Sequence, residues 1–331
     1  VAAFVEHASL EQAHAWLDGL SFAIATATVE PARAVGRALL MELRAGRALP
    51  PQDCATQDGF ALCAAHTEGA GPYNPVPIAA IPVAAGDTMP PGTDAVLPVD
   101  LLEAGHVLEV AAPGEGVARA GSELAHGALL FPAGHVLRPT DVAVLTELGL
   151  DAVTIRFGLT VGGSVPAALD ALRQALMARD QCQFDADGDI IVTTRAEPGD
   201  RWDIQGVALR PGGLLCRCGW RGRTPLLLLP RDWLGFALCW ELLAARLIRG
   251  HAALGAQPAA PHRLTAKLVS SIGLADAILV RTEAPGVAAP LPGVETGGAT
   301  ALARADGYVL VPPTREGYAG GETVLVQRFW V

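Results

Sequence analysis

The chain has 331 residues, 51% of them apolar and only 5% aromatic, with a formal net charge of −10. That length exceeds a single compact core and predicts two to four domains with cores built mainly from Ala, Val and Leu. The acidic balance argues against a general nucleic-acid or anionic-membrane binder, and 37 glycines with 25 prolines exclude a plain helical bundle.

In chain order, Ser9 ahead of "LEQAHAWLDGL" reads as an N-cap, with Glu11 and Gln12 in the first helical turn. A second helix is expected over "VEPARAVGRALLMELRAG", with Pro31 near its start and Val35, Leu39, Leu40 and Leu43 on its apolar face. From 50 to about 118, short β-prone runs such as "VPIAAIPVAAG" and "DAVLPVD", cut by Pro and Gly, predict a small β domain. Turns and a helix at "PTDVAVLTELGL" follow, with Pro139 and Asp141 at the start and Gly149 at the end. Over 159–250 the pattern alternates. "LTVGGS", "DIIVTT" and "PLLLLP" read as strands, "VPAALDALRQALMARD" and the segment from Asp232 as helices, which makes an α/β layer. "AALGAQPAAPHR" reads as a linker, and the chain is β again in "AILVRTE", "GYVLVPP" and "TVLVQRF".

Six irregularly spaced cysteines do not form a secreted disulfide framework, and the first residues lack the basic-then-apolar order of a signal peptide. The apolar stretch 232–250 carries Asp232, Glu241, Arg246 and Arg249, so it reads as a buried helix and not a membrane span. A reducing cytoplasm is expected, with neither membrane nor nucleic acid as partner.

Four stretches invite a chemical reading. "PPQDCATQDGFAL" (50–62) sets Asp53 close to Asp58, as a metal or acid/base pair or as two turn caps. Between 201 and 231, Arg201, Arg210, Arg217, Arg221, Arg223 and Arg231 stand against one acid, Asp203, as an anion site or as a solvated face. Cys216-x-Cys218 lacks the spacing of a zinc site, and "DADGDI" lacks the order of an EF-hand and reads as a turn.

The order of these pieces resembles the MoeA family of molybdopterin molybdenumtransferases, whose eukaryotic relative is the gephyrin E domain. "LPPQDCATQDGFAL" is similar to the family's L-P-x-F-D-N-S-A-M-D-G-Y-A signature, with Asp53, Asp58 and Gly59 in register. "VAAGDTMPPGTDAVLPVD" and the terminal "ETGGATALARADGYVLVPPTREGYAGGETVLVQ" follow two further family segments. The resemblance implies a multidomain α/β plus β fold of elongated, four-domain MoeA-like architecture. Residues 1–49 with 119–156 would form a discontinuous domain I, 50–118 a β-rich domain II, 157–255 a reduced molybdopterin-binding-like α/β domain III, and 256–331 a C-terminal β domain IV. It also implies a homodimer, and insertion of molybdenum from molybdate into an adenylylated pterin dithiolene with Mg²⁺.

The third domain departs from that pattern. "VGGSVP" stands where the family has T-G-D-E, "TTRAEPGD" where it has a glycine-rich turn, and "RPGG" where it has K-P-G-K-P. "LPRDWLG" replaces L-P-G-N-P-V-S, and Lys267 is the only lysine of the chain. In the second domain Ala85 stands for a Thr, and just beyond it Glu123 stands roughly for an Asp. The expectation is a catalytically degenerate homologue that binds or scaffolds, with a protein partner in a pterin- or molybdenum-dependent enzyme system. The alternatives are an active transferase with a rearranged site, or a carrier of another pterin or small anion. The catalytic candidates are Asp53 and Glu123, the anion-binding candidates Arg210, Arg217 and Arg231. No resident metal is expected, and Mg²⁺, molybdopterin and molybdate enter only for an active enzyme.

Overall fold

A computed structural model describes residues 7–255, 258–291 and 298–329. Ala256 and Gln257 of the expected linker, and Glu295–Gly297 of the terminal family segment, lie outside the described residues. The chain divides into two units, one made of residues 1–28, 36–38 and 154–331, the other of 29–35 and 39–153.

The first unit contains two six-stranded sheets. In one, the order is Gln183–Phe184, Thr160–Gly162, Ile190–Thr193, Thr224–Leu228, Arg217–Arg221, Arg201–Gln205. The first four strands are parallel and the last two antiparallel. Ile190, Val192, Leu226 and Leu227 are buried, the near-continuous apolar run of strands covered on both faces. The covering helices are Leu10–Asp18, Ala167–Arg179 and the segment Trp233–His251, which widens to a π turn over Trp240–Ala244. Leu10, Ala13 and Leu17 share one core with Leu169, Leu176, Val192, Leu227 and Trp240. Ser9 is the expected N-cap, and with Gln12 it forms a capping box, each side chain bonding the other's backbone N–H.

In the second sheet, Ala275–Ala284, Val287–Pro290, Ala259–Leu264, Thr323–Arg328 and Gly307–Val311 close into a barrel, because the first strand also pairs with the last. Its core is Leu264, Leu268, Val280, Val309, Val311, Val324 and Val326. The second half of the expected linker is therefore a strand. Ala259–Arg263 pairs with Thr323–Gln327, so Pro261 sits inside a ladder that composition alone assigns to a connection.

The second unit is built from short pieces. Ile81–Val83, Gly59–Leu62 and Ala95–Leu97 form one three-stranded sheet; Val76–Pro77, His106–Val107 and Leu102–Glu103 form another. The helix expected over 29–46 is corrected here. Only Pro31–Ala34 makes a short 3-10 turn, and Leu43–Arg44 is a strand paired with Leu129–Phe131. Gly36 takes a φ of 78° and ends the turn, while Leu39 exchanges backbone hydrogen bonds with Gly134 and His135. Ala38 and Leu39 are buried through such single backbone pairs, while Val35, Leu40 and Leu43 are half-buried.

The helix Asp141–Glu147 carries a buried acid at its start. Asp141 accepts hydrogen bonds from the Arg138 guanidinium and backbone and pairs with His135, whose ring stacks on Phe131. The Arg138 guanidinium holds the Asp141 carboxyl far below the usual carboxylate range. A depressed carboxyl stabilises the fold above its unfolded value, and that contribution is lost as pH falls toward the folded value. The expected result is an acid limb in the unfolding midpoint below about pH 4, flattened in Asp141→Asn. Urea titrations at stepped pH measure it; identical acid limbs would refute it.

Candidate functional site

Ligands of open α/β sheets sit beyond the carboxyl ends of the parallel strands. At that end of the first unit, Thr224–Leu228 runs through Leu229–Arg231 into the helix that starts at Trp233. Asp232 caps this helix, its Oδ1 accepting the Gly235 N–H at 2.7 Å. Gly235 leaves no room for a side chain, since a Cβ would lie 2.8 Å from Asp232 Oδ2. An acid thus occupies the place where an anion would approach the helix.

Beside it lies a cavity of about 790 Å³, lined by Arg210, Pro211 and Leu234 together with Lys267, Ser270 and Asp276. The strand Leu209–Arg210 runs parallel to Ala275–Ala284, which makes Arg210 and Asp276 direct partners. Arg210 Nη2 donates to Asp276 Oδ2 at 2.6 Å, and Ser270 Oγ donates to the same oxygen at 3.0 Å. Arg210 Nε is buried and makes no hydrogen bond among the described residues. Lys267 is exposed. Two cations therefore stand against one carboxylate, an arrangement that favours a ligand with at least one negative charge.

Of the three predicted anion-binding arginines, Arg210 is the one that lines this cavity. Arg217 lies over the Trp202 ring at 5.6 Å, on the antiparallel side of the sheet, and Arg231 is exposed ahead of the helix. Arg221 is held by Asp200 and Glu197, both at 2.8 Å. The arginine-rich window is thus dispersed. Arg210 and Arg221 are met by acids from outside the window and Arg217 by an aromatic face, so these three do not form one patch. The sequence reading missed Lys267, Ser270 and Asp276 as site members. They lie ahead of the family-like C-terminal segment, in a stretch that carries no catalytic signature of its own.

The second unit holds the two catalytic candidates. Asp53 Oδ1 accepts the Ala120 N–H at 2.8 Å, and Oδ2 accepts Arg119 Nη1 at 2.7 Å. The Ala120 N–H first, and then Arg119, hold this carboxyl below its ordinary range. Asp58 Oδ1 accepts the Ala85 N–H at 2.8 Å, so it braces its turn. Glu123 is exposed, its backbone N–H donating to the Leu49 carbonyl. Both oxygens of Asp53 are thus already engaged. Among the described residues no three His, Cys, Asp or Glu side chains cluster as metal ligands.

Residues 8–149 match the family model for the MoeA N-terminal region (domain I and II), and residues 262–329 match that for the MoeA C-terminal region (domain IV). Among curated proteins, "Molybdopterin molybdenumtransferase 2" of Mycobacterium tuberculosis is 28% identical over 146 residues. That match covers 37% of this chain and spans only 36% of the relative's length. MJ0666 of Methanocaldococcus jannaschii, named for molybdopterin biosynthesis, is 22% identical across 89% of this chain and 90% of its own. The crystal structure of a molybdopterin biosynthesis MoeA protein from Pyrococcus horikoshii superposes with a TM-score of 0.83. It is 22% identical and covers 98% of this chain and 99% of its own. A molybdenum cofactor biosynthesis protein from Pyrococcus furiosus gives a TM-score of 0.68 at 17% identity, covering 98% of this chain and 100% of its own. The expected mixed α/β and β-rich multidomain fold is the fold these structures share.

Proposed function

Since the chain belongs to the MoeA family, we propose that it acts in molybdenum-cofactor biosynthesis as a binding or scaffold member, an accessory subunit that does not itself transfer molybdenum. The observation that carries this reading is the capped helix at Trp233. A phosphorylated ligand is held by open N–H groups at a helix start, and here the Asp232 carboxylate takes that place. The engagement of Asp53 by Arg119 and Ala120 supports the same reading. The four-domain division, a homodimer and a cytoplasmic location belong to this proposal.

A second reading, an active transferase with a rearranged site, is favoured by the cavity that joins Arg210 to Lys267. The deciding assay supplies purified protein with adenylylated molybdopterin, molybdate and Mg²⁺ and follows AMP. No release above background, with a protein partner recovered in stoichiometric complex, is the expected result. Robust release abolished by Asp53→Asn would sink the scaffold reading.

The cavity makes a separate prediction. Inorganic pyrophosphate should bind measurably in calorimetry, and Lys267→Ala should weaken it roughly three- to tenfold. Because Lys267 is exposed, its unfolding midpoint should not move. Unchanged pyrophosphate affinity in this variant would remove Lys267 from the site.

A further inference from the structure

The first unit holds another cavity, at the opposite, N-terminal edge of the parallel strands. Its volume is about 650 Å³, and its walls include Trp16, Phe22, Asp187, Asp189, Trp220 and Arg223. Asp187 and Asp189 immediately precede the strand Ile190–Thr193, and Arg223 immediately precedes Thr224–Leu228.

Two features define its chemistry. The first is a pair of half-buried indoles. Trp16 and Trp220 meet edge to face, with ring centroids 6.0 Å apart at 69°. Both donate their Nε1–H to one oxygen, Asp203 Oδ2, at 2.9 and 2.7 Å. With each N–H consumed by a carboxylate, these indoles offer a ligand ring carbon, and the negative charge on the N–H enriches the π system. The second feature is a fixed acidic wall. Asp189 Oδ2 accepts both the backbone N–H and the hydroxyl of Thr160, each at 2.8 Å. Gly188 is pressed so closely to the neighbouring strand that a Cβ would lie 2.6 Å from the Gly162 nitrogen.

Asp187 and Asp189, with Asp203 behind the rings, outweigh Arg223, so an anion is disfavoured here. A hydrated metal ion needs several oxygen ligands, and among the described residues no three acids or histidines gather as ligands. A primary ammonium is held chiefly through hydrogen bonds, whereas Asp189 Oδ2 and Asp203 Oδ2 each already accept two. A methylated ammonium needs only aromatic faces and nearby negative charge. We propose that this cavity is a binding site for a small organic cation of the methylated-ammonium class. Arg223, exposed on the tight turn at Gly222, is the opposing charge at its rim.

Choline is the probe, titrated into the full chain while the indole N–H resonances are followed by NMR. Saturable shifts are expected at Trp16 and Trp220, with Trp202 and Trp240 unmoved. Its uncharged carbon isostere, 3,3-dimethyl-1-butanol, should bind at least about tenfold more weakly. Asp187→Asn should weaken choline and Arg223→Ala should tighten it, each by roughly two- to fivefold. Trp220→Leu should abolish the Trp16 shift; Trp16→Phe, which keeps a ring, should retain binding at Trp220. Equal affinity for choline and the neutral isostere would overturn the proposal. So would the absence of saturable shifts up to about 10 mM choline.

Discussion

Replacing Asp180 by alanine is expected to destabilise the first unit by about 3–5 kcal/mol, because it strips the counter-charge from a buried ionic cluster. Asp180 is fully buried and accepts both Nε and Nη2 of Arg179 at 2.8 Å. The Trp240 indole donates to Asp180 Oδ2 at 2.8 Å, and Arg249 approaches Oδ1 at 3.4 Å. Arg179 also reaches Glu241 at 2.7 Å and the Phe329 carbonyl at 3.1 Å. Burial pushes the Glu241 carboxyl above its ordinary range, and Arg179 pulls it back. Without Asp180, two arginines lose a counter-ion and the fully buried Trp240 N–H loses its acceptor. Asp180→Asn, which keeps an acceptor for the indole, should cost less. The exposed pair of Asp18 and Arg246 is the control, and Asp18→Ala should cost no more than about 1 kcal/mol. Urea unfolding of the three variants decides; equal midpoints for Asp180→Ala and Asp18→Ala would show that the cluster does not hold the unit.

Local signals survived the passage from sequence to structure. Ser9 with Gln12, and the alternation of apolar strands with helices from 159 to 251, act within a few residues and were legible. The false helix at 29–46 has a physical cause. Gly36 in the left-handed region breaks the helix, and Leu39 is buried through single backbone pairs with Gly134 and His135 that leave no periodic signal. The strands Arg201–Gln205 and Arg217–Arg221 were invisible because arginine, aspartate, glutamine and tryptophan take their exposed and half-buried positions, and only Ile204, Cys218 and Gly219 are buried.

The candidate site was legible only in part, because its members meet through non-local pairing. Asp53 finds Arg119 across 66 residues of chain, and Arg210 finds Asp276 across the same separation. Asp53 read in sequence as an acid/base or metal residue or as a turn cap, and Asp276 drew no reading; each is engaged in the fold. Counting charges within a window of sequence likewise produced an arginine patch that sheet pairing takes apart. Asp200 lies just before that window and Glu197 a few residues earlier, and both close on Arg221.

Gly317→Ala is expected to cost about 2–3 kcal/mol and to damage the Lys267 side of the cavity with it. Gly317 has a φ of 126°, outside the range that side-chain-bearing residues adopt readily. A Cβ there would lie 1.9 Å from the Leu268 carbonyl oxygen, a backbone atom that no rotamer change can move. Gly317–Tyr318 pairs with Leu268–Val269, and the adjoining Ser270 N–H donates to the Glu316 carbonyl at 2.8 Å. Relieving the clash therefore shifts the strand that sets Lys267 and Ser270 against Arg210 and Asp276. Unfolding midpoints and pyrophosphate calorimetry on the same variant separate two outcomes. A lower midpoint together with weaker pyrophosphate binding is the expected pair. A lower midpoint with unchanged pyrophosphate binding would mean that the strand Leu268–Val269 does not shape the cavity.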